Sequence, residues 1–140
     1  MTPGKKSVLK IVTVDDSPIV AERLKEMLSE MDQVEFAGNA CNTSLALELI
    51  NQQNPNVIIL DINLGDSMPS INGIDLLITL RRKYSKMKIL MLTNLTERVY
   101  RDTCLFLGAD YFFDKSNEFE KIPDTLNEIL KIEIGANHDA

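Results

Sequence analysis

The chain is poor in the residues that most often carry catalysis, cross-linking or membrane insertion. Its single histidine, His138, lies in the polar stretch at the carboxyl end and reads as a solvated side chain, not as a phosphoryl carrier. The two cysteines, Cys41 and Cys104, share no metal-ligand spacing, so reduced, half-buried thiols in a cytosolic protein are expected. No apolar run approaches the roughly 20 residues needed to span a bilayer. The opening Met1-Thr2-Pro3-Gly4-Lys5-Lys6 holds no apolar segment of signal-peptide length, so no membrane contact and a cytoplasmic location are expected. Basic residues are outnumbered, 15 against 21 acidic, for a net charge of −6. That balance argues against binding nucleic acid by phosphate neutralisation. There is no GxGxxG and no glycine loop to cradle phosphates, so a nucleotide site is not supported. The remaining composition, 44% apolar and 26% charged over 140 residues, suits one globular domain with one core.

What is present is a series of short apolar runs alternating with helical patterns. Leu9–Val14, Val34–Phe36, Val57–Leu60, Ile89–Leu92 and Tyr111–Phe113 read as five strands. Helices are predicted over Ser17–Met31, Asn42–Gln53, Gly73–Tyr84, Thr96–Leu107 and from Phe119 to near Ile132. Ser17 suits a cap and Pro18 the first helical position. Pro55 ends the second helix, Gly108 can end the fourth, and Pro123 is tolerable only in a first turn. Residues 1–7 are expected as a flexible lead-in, 8–133 as the domain and 134–140 as a flexible tail. Buried parallel strands with right-handed helical crossovers imply an α/β doubly wound sandwich. Periodicity leaves the strand order open.

Polar residues end these runs in a pattern. Asp15-Asp16 follow the first strand, Asp61 the third, Thr93 the fourth and Lys115 the fifth. Ligands in such sheets sit at the carboxyl ends of the strands. Each residue also has an ordinary role: Asp15, Asp16 and Thr93 as helix caps, Asp61 as the polar end of a strand, Lys115 as a solvated loop lysine. Two adjacent carboxylates exceed what one cap needs. At ~4 Å and an effective dielectric near 20, each like-charge pair costs on the order of 4 kcal/mol. Three acids on one edge therefore call for Mg²⁺ or for raised pKa values. A carboxylate there can attack a phosphoryl group and become an aspartyl-phosphate.

With these residues in order, the sequence resembles the receiver domain of two-component response regulators, of the single-domain chemotaxis-regulator kind. The resemblance runs from about Leu9 to Ile132 and includes Gly108-Ala109-Asp110-Tyr111-Phe112-Phe113-Asp114-Lys115. It implies a flavodoxin-like five-stranded parallel sheet of order 2-1-3-4-5 with helices on both faces. It implies that Asp61 accepts a phosphoryl group from a sensor histidine kinase or a histidine phosphotransfer protein. Asp16, Asp61 and the backbone carbonyl of Asn63 would hold Mg²⁺ (or Mn²⁺), with Asp15 acting through water. Lys115 and Thr93 would bind the phosphoryl oxygens, and Phe112 would report the state by packing. Asn63 and Asn94 would tune access. A downstream protein would dock on the face of the fourth helix, fifth strand and fifth helix, where Arg98, Tyr100, Arg101, Glu118, Lys121 and Asn127 are the expected exposed residues; the same face would serve a phosphorylation-dependent homodimer.

The chain departs from the family pattern in four places. Gly73 lies twelve residues beyond Asp61, a longer loop than is common, and the added segment Leu64–Ile71 brings Asp66 near the site. Ser116 follows Lys115 where many members have proline, Asn94 follows Thr93 where a smaller residue is common, and Phe112 lacks a phenolic hydroxyl. Only eight residues follow Ile132, so output by binding or phosphorelay is expected of the chain as it stands. Two other readings compete. An aspartyl-nucleophile phosphohydrolase would want an acid at Asn63, and a degenerate receiver used as a scaffold would want fewer site residues.

Overall fold

The computed structural model describes residues 9–65 and 72–139, with side chains as far as residue 133. The expected lead-in and residues 66–71 of the lengthened loop lie outside the described residues.

Strands β1 (Leu9–Val14), β2 (Val34–Ala40), β3 (Val57–Leu60), β4 (Lys88–Thr93) and β5 (Tyr111–Asp114) form one parallel sheet in the order β2-β1-β3-β4-β5. Helices α1 (Pro18–Ser29), α2 (Thr43–Gln53), α3 (Asn72–Lys83), α4 (Arg98–Phe106) and α5 (Ile122–Asp139) cover it, with a 3₁₀ turn at Phe119–Lys121. This is the flavodoxin-like order expected. The alternation of strand side chains makes two cores. Val12, Val14, Ile58, Leu60, Ile89, Met91 and Phe112 pack with residues of α2, α3 and α4. Leu9, Ile11, Val57, Ile59, Leu90, Leu92 and Phe113 pack with α1 and α5. All four residues of β3 are buried, so both faces of the strand that delivers Asp61 are locked in place.

Local signals explain most boundaries. The Ser17 hydroxyl accepts from Val20 N–H at 3.3 Å, and Pro18 opens α1. Asn42 caps α2 through Leu45 N–H at 2.9 Å. Asn54 closes α2 with φ 50°, just before Pro55. At the end of α4, Ala109 N–H reaches Cys104 O at 3.0 Å and Gly108 N–H reaches Leu105 O at 3.2 Å, a turn that requires φ +114° at Gly108. Pro123 falls in the first turn of α5. Most boundaries fall within a few residues of expectation, and two strand or helix ends run well past it. Strand β2 runs on to Ala40 because its pairing with β1 continues past an irregularity between Ile11 and Val12. Helix α5 continues to Asp139, past the helix end expected near Ile132. Loss of apolar periodicity after Ile132 does not stop backbone hydrogen bonding, and Gly135 costs a helix only about 1 kcal/mol.

At the end of the sheet away from Asp61, Arg81 acts as a staple. Its guanidinium donates to Gly108 O at 3.0 and 2.8 Å, to Tyr84 O, Ser85 O and Met87 O at 3.2, 3.1 and 2.7 Å, and to Asp110 Oδ2 at 2.8 Å. One planar fork thus joins the end of α3, the entry to β4 and the turn before β5. Arg81→Ala is expected to cost about 3 kcal/mol in urea unfolding, since several half-buried carbonyls lose a charged donor. Arg81→Lys should recover little, because a point ammonium cannot span the same acceptors. A loss below about 1 kcal/mol for Arg81→Ala would contradict the staple.

Neither cysteine is half-buried as expected. Cys41 is exposed and Cys104 is fully buried, and both are free thiols. Burial pushes the Cys104 thiol up to about 11. In the native protein at pH 8, a thiol reagent should modify Cys41 quickly and Cys104 only on unfolding. Equal rates at both would show that α4 opens readily.

Candidate functional site

The ends of β1, β3, β4 and β5 lie side by side, and the loops that leave them carry the polar residues singled out in the sequence. Lys115 Nζ sits 2.7 Å from Asp15 Oδ2 and 2.7 Å from Asp61 Oδ2. Lys115 is only 11% exposed, and both carboxylates are buried. Asp15, Asp16 and Asp61 each place a carboxylate oxygen within 4.8 Å of the other two. Two buried acids therefore share one ammonium, with a third, exposed acid beside them.

Each carboxylate is held by backbone as well. Asp15 Oδ1 accepts from Ser17 N–H at 2.8 Å. Since Ser17, not an aspartate, caps α1, the capping explanation for the acidic pair falls away. Asp61 Oδ1 accepts from Asn63 N–H at 3.3 Å. Asp16 is exposed, and its Oδ2 accepts from Gly65 N–H at 3.2 Å. Burial raises the Asp15 carboxyl above its ordinary range, against the opposing pull of Lys115 and of Ser17 N–H. Burial alone would push the Lys115 ammonium down, but hydrogen bonds to Asp15 and Asp61 outweigh it and leave it raised. The donor set fits a hard divalent cation: it is all oxygen, carries excess negative charge, and has one exposed member through which a hydrated ion can enter.

The other expected residues are placed less directly. Thr93 is fully buried at the end of β4, and its hydroxyl accepts from Leu95 N–H at 3.2 Å. It does not cap α4, which starts five residues later at Arg98. Asn94 is exposed, and its Oδ1 accepts from Ser116 Oγ at 3.1 Å. Phe112 is buried beneath α4, with the Arg101 guanidinium 5.8 Å from its ring centre. Of the surface residues expected on the side of α4, β5 and α5, Arg98, Arg101, Lys121 and Asn127 are exposed, while Tyr100 and Glu118 are half-buried.

Three supporting devices escaped the sequence reading. Asn72 closes the lengthened loop: its side chain accepts from Leu64 N–H at 2.9 Å and donates to Leu64 O at 2.6 Å. Gly73 N–H donates to Ile62 O at 2.7 Å, pressing the start of α3 against the backbone next to Asp61. Asp114 organises the loop after Lys115, accepting from Ser116 N–H and Asn117 Nδ2 at 2.9 Å each. Those two bonds hold its carboxyl below the ordinary range, the Asn117 amide contributing most. An aspartate two residues before a serine is a local turn signal that was available in the sequence; the other two depend on the loop being closed.

Residues 11–127 match the response regulator receiver domain family. The chain is 37% identical over 108 residues to a protein-glutamate methylesterase/protein-glutamine glutaminase of Trichodesmium erythraeum, covering 76% of this chain and 30% of that protein. It is 27% identical over 121 residues to the transcriptional regulatory protein MctR of Rhizobium johnstonii, covering 86% and 55%. It thus spans under a third of the methylesterase's length. Among solved structures, the response regulator domain of Thermotoga maritima CheB superposes with a TM-score of 0.73 at 27% identity, covering 90% of this chain and 96% of that one. An isolated receiver domain of RcsB from Salmonella enterica, in the presence of a phosphomimetic, superposes at 0.79 and 20% identity, covering 88% of each, a likeness of fold. With the acids and the lysine gathered at the carboxyl ends of a 2-1-3-4-5 sheet, and with the family's pattern matched over most of its length, this chain belongs to the response regulator receiver domains.

Proposed function

We propose that the chain is a phosphorylation-dependent signalling module in which Asp61 is the phosphoacceptor. The observation that carries the proposal is the buried Lys115 ammonium shared by Asp15 and Asp61 inside a cluster of three carboxylates. An Asp61 oxygen attacks the phosphorus of a phosphohistidine on a sensor histidine kinase or histidine phosphotransfer protein. The P–O bond forms as the P–N bond breaks, and the imidazole leaves with a proton. Asp16, Asp61 and the Asn63 carbonyl would hold Mg²⁺ or Mn²⁺, with Asp15 reaching the ion through water. Such an ion would supply positive charge against the phosphoryl oxygens. Lys115 turns from Asp61 to the phosphoryl group, and the Thr93 hydroxyl donates to another of its oxygens. Movement of the Thr93 loop then alters the packing of Phe112 under α4, and a downstream protein or a second copy reads the changed face of α4, β5 and α5. Asn63 and Asn94 set how freely water reaches the phosphoryl group. The setting is cytoplasmic; no helix among the described residues is long and apolar enough to cross a membrane.

The test is intact mass after treatment with acetyl phosphate and Mg²⁺. The natural chain is expected to gain one phosphoryl group, and Asp61→Asn none. Gain by both would place the acceptor elsewhere. Steady phosphate release from a phosphoester, far beyond one per chain, would favour a phosphohydrolase.

A further inference from the structure

The loops that follow β4 and β5 are tied together by a side-chain bond. Lys115 N–H donates to Thr93 O at 2.9 Å, as the ladder between β4 and β5 runs out. One residue further along each chain, Ser116 Oγ donates to Asn94 Oδ1 at 3.1 Å. The pair acts as an extra rung, joining the residue after Thr93 to the residue after Lys115.

The two ends of this rung differ in how many bonds frame them. Ser116 is a fixed post: Asp114 Oδ1 holds its N–H at 2.9 Å, Asp114 Oδ2 holds the Asn117 amide, and Glu118 Oε1 accepts from Asp114 N–H at 2.9 Å. Asn94 is framed more sparsely. It is exposed, a single bond from Leu95 N–H to the Thr93 hydroxyl spans it, and residues 94–96 run outside any helix to Glu97, whose carbonyl accepts the first bonds of α4. Any shift of Thr93 towards Asp61 carries Asn94 with it and strains the bond to Ser116. The rung also borders a cleft of about 410 Å³ between α1, at Val20 and Arg23, and the loop from Lys115 to Phe119.

We propose that Asn94 and Ser116 form a latch that holds the Thr93 loop in the unphosphorylated arrangement, making both of them positioning residues that oppose the switch. The proposal rests on the phosphoacceptor reading of Asp61. It assigns this chain's asparagine and serine one joint role: they raise the threshold for activation.

The test is affinity for beryllofluoride with Mg²⁺, a stable phosphoryl mimic, followed by the change in Phe112 environment in NMR spectra. Ser116→Ala and Asn94→Ala should each bind about three- to ten-fold more tightly than the natural chain, the range one hydrogen bond can shift an equilibrium. The double variant should gain no more than either single variant, because both remove the same bond. Ser116→Thr, which keeps the hydroxyl, should stay near the natural affinity. Stability of the unliganded protein should fall by the same modest factor and no more, since one exposed bond is lost from its folded state. Unchanged or weaker binding in the single variants, or effects that add in the double variant, would overturn the latch. Failure of the natural chain itself to bind would instead overturn the phosphoacceptor reading.

Discussion

Lys115→Met is expected to lower stability by about 3–5 kcal/mol in chelator at neutral pH, because it removes the one cation from a buried pair of acids. Lys115 lies 2.7 Å from both Asp15 and Asp61, and its side chain is 11% exposed against 3% and 7% for theirs. Methionine fills a similar volume, so the loss is electrostatic and leaves no large cavity. Added Mg²⁺ should restore more stability to the variant than to the natural chain, since the ion takes over the neutralising role. Acid should also help the variant. The Asp15 carboxyl is already raised by burial in the presence of Lys115. A carboxyl raised in the folded state favours folding below its ordinary value, and that advantage is lost as pH rises through the folded value. Without the hydrogen bond and charge of Lys115, this window extends upward, so the variant should gain stability as pH falls from neutral. Thermal unfolding with chelator, with Mg²⁺, and across pH checks all three. A variant as stable as the natural chain in chelator, with no larger response to Mg²⁺, would mean the acids are neutralised by other means.

Gly73→Ala is expected to be strongly destabilising although it adds a single methyl group. On helix propensity alone, alanine should stabilise the start of α3 by about 1 kcal/mol. Packing reverses the sign. An added Cβ would overlap the carbonyl oxygen of Asp61 and lie 2.6 Å from Ile62 Cα and 2.7 Å from Ile62 O. These are backbone atoms of a segment leaving the fully buried β3, so they cannot swing aside as a flexible side chain would. Helix α3 must move outward, breaking the Gly73 N–H bond to Ile62 O and opening the core around Ile74 and Leu77. The net cost should be about 3 kcal/mol or more, at the upper end for overpacking. Because the clash falls on Asp61 itself, phosphoryl uptake from acetyl phosphate should drop at least about ten-fold even in the folded fraction, a cost of ~1.4 kcal/mol in the transition state. Unchanged stability together with unchanged uptake would show that α3 is docked more loosely than these contacts require.

How much was legible beforehand varied with how local the cause was. The Asp15-Asp16, Asp61, Thr93 and Lys115 pattern could be read because each residue ends a short apolar run, and the end of a parallel strand is where a loop must emerge. The cap at Ser17 and the stop at Gly108 were equally local, set by a side-chain oxygen or by a missing Cβ. What could not be read was which backbone each polar group would meet. Asn72 binding both polar groups of Leu64, and Gly73 N–H meeting Ile62 O, depend on the loop being closed, and that closure is fixed by the elements at either end. The thiols show the same limit: helical spacing could not say that Cys104 turns wholly into the core from α4 while Cys41 stays outside.

By itself, the order of apolar runs and helical stripes determined the alternation of strands and helices, the two-faced burial of β3 and the set of polar residues at the strand ends. Those features follow from local periodicity and from the need to pair every buried backbone group. Only the tertiary structure decided that Lys115, not a helix cap or solvent, neutralises Asp15 and Asp61, and that Asn94 answers Ser116 across the two loops. The partners are 54 residues apart in one pair and 22 in the other. Distances between such partners are set by how the strands pack side by side, which depends on the whole core at once.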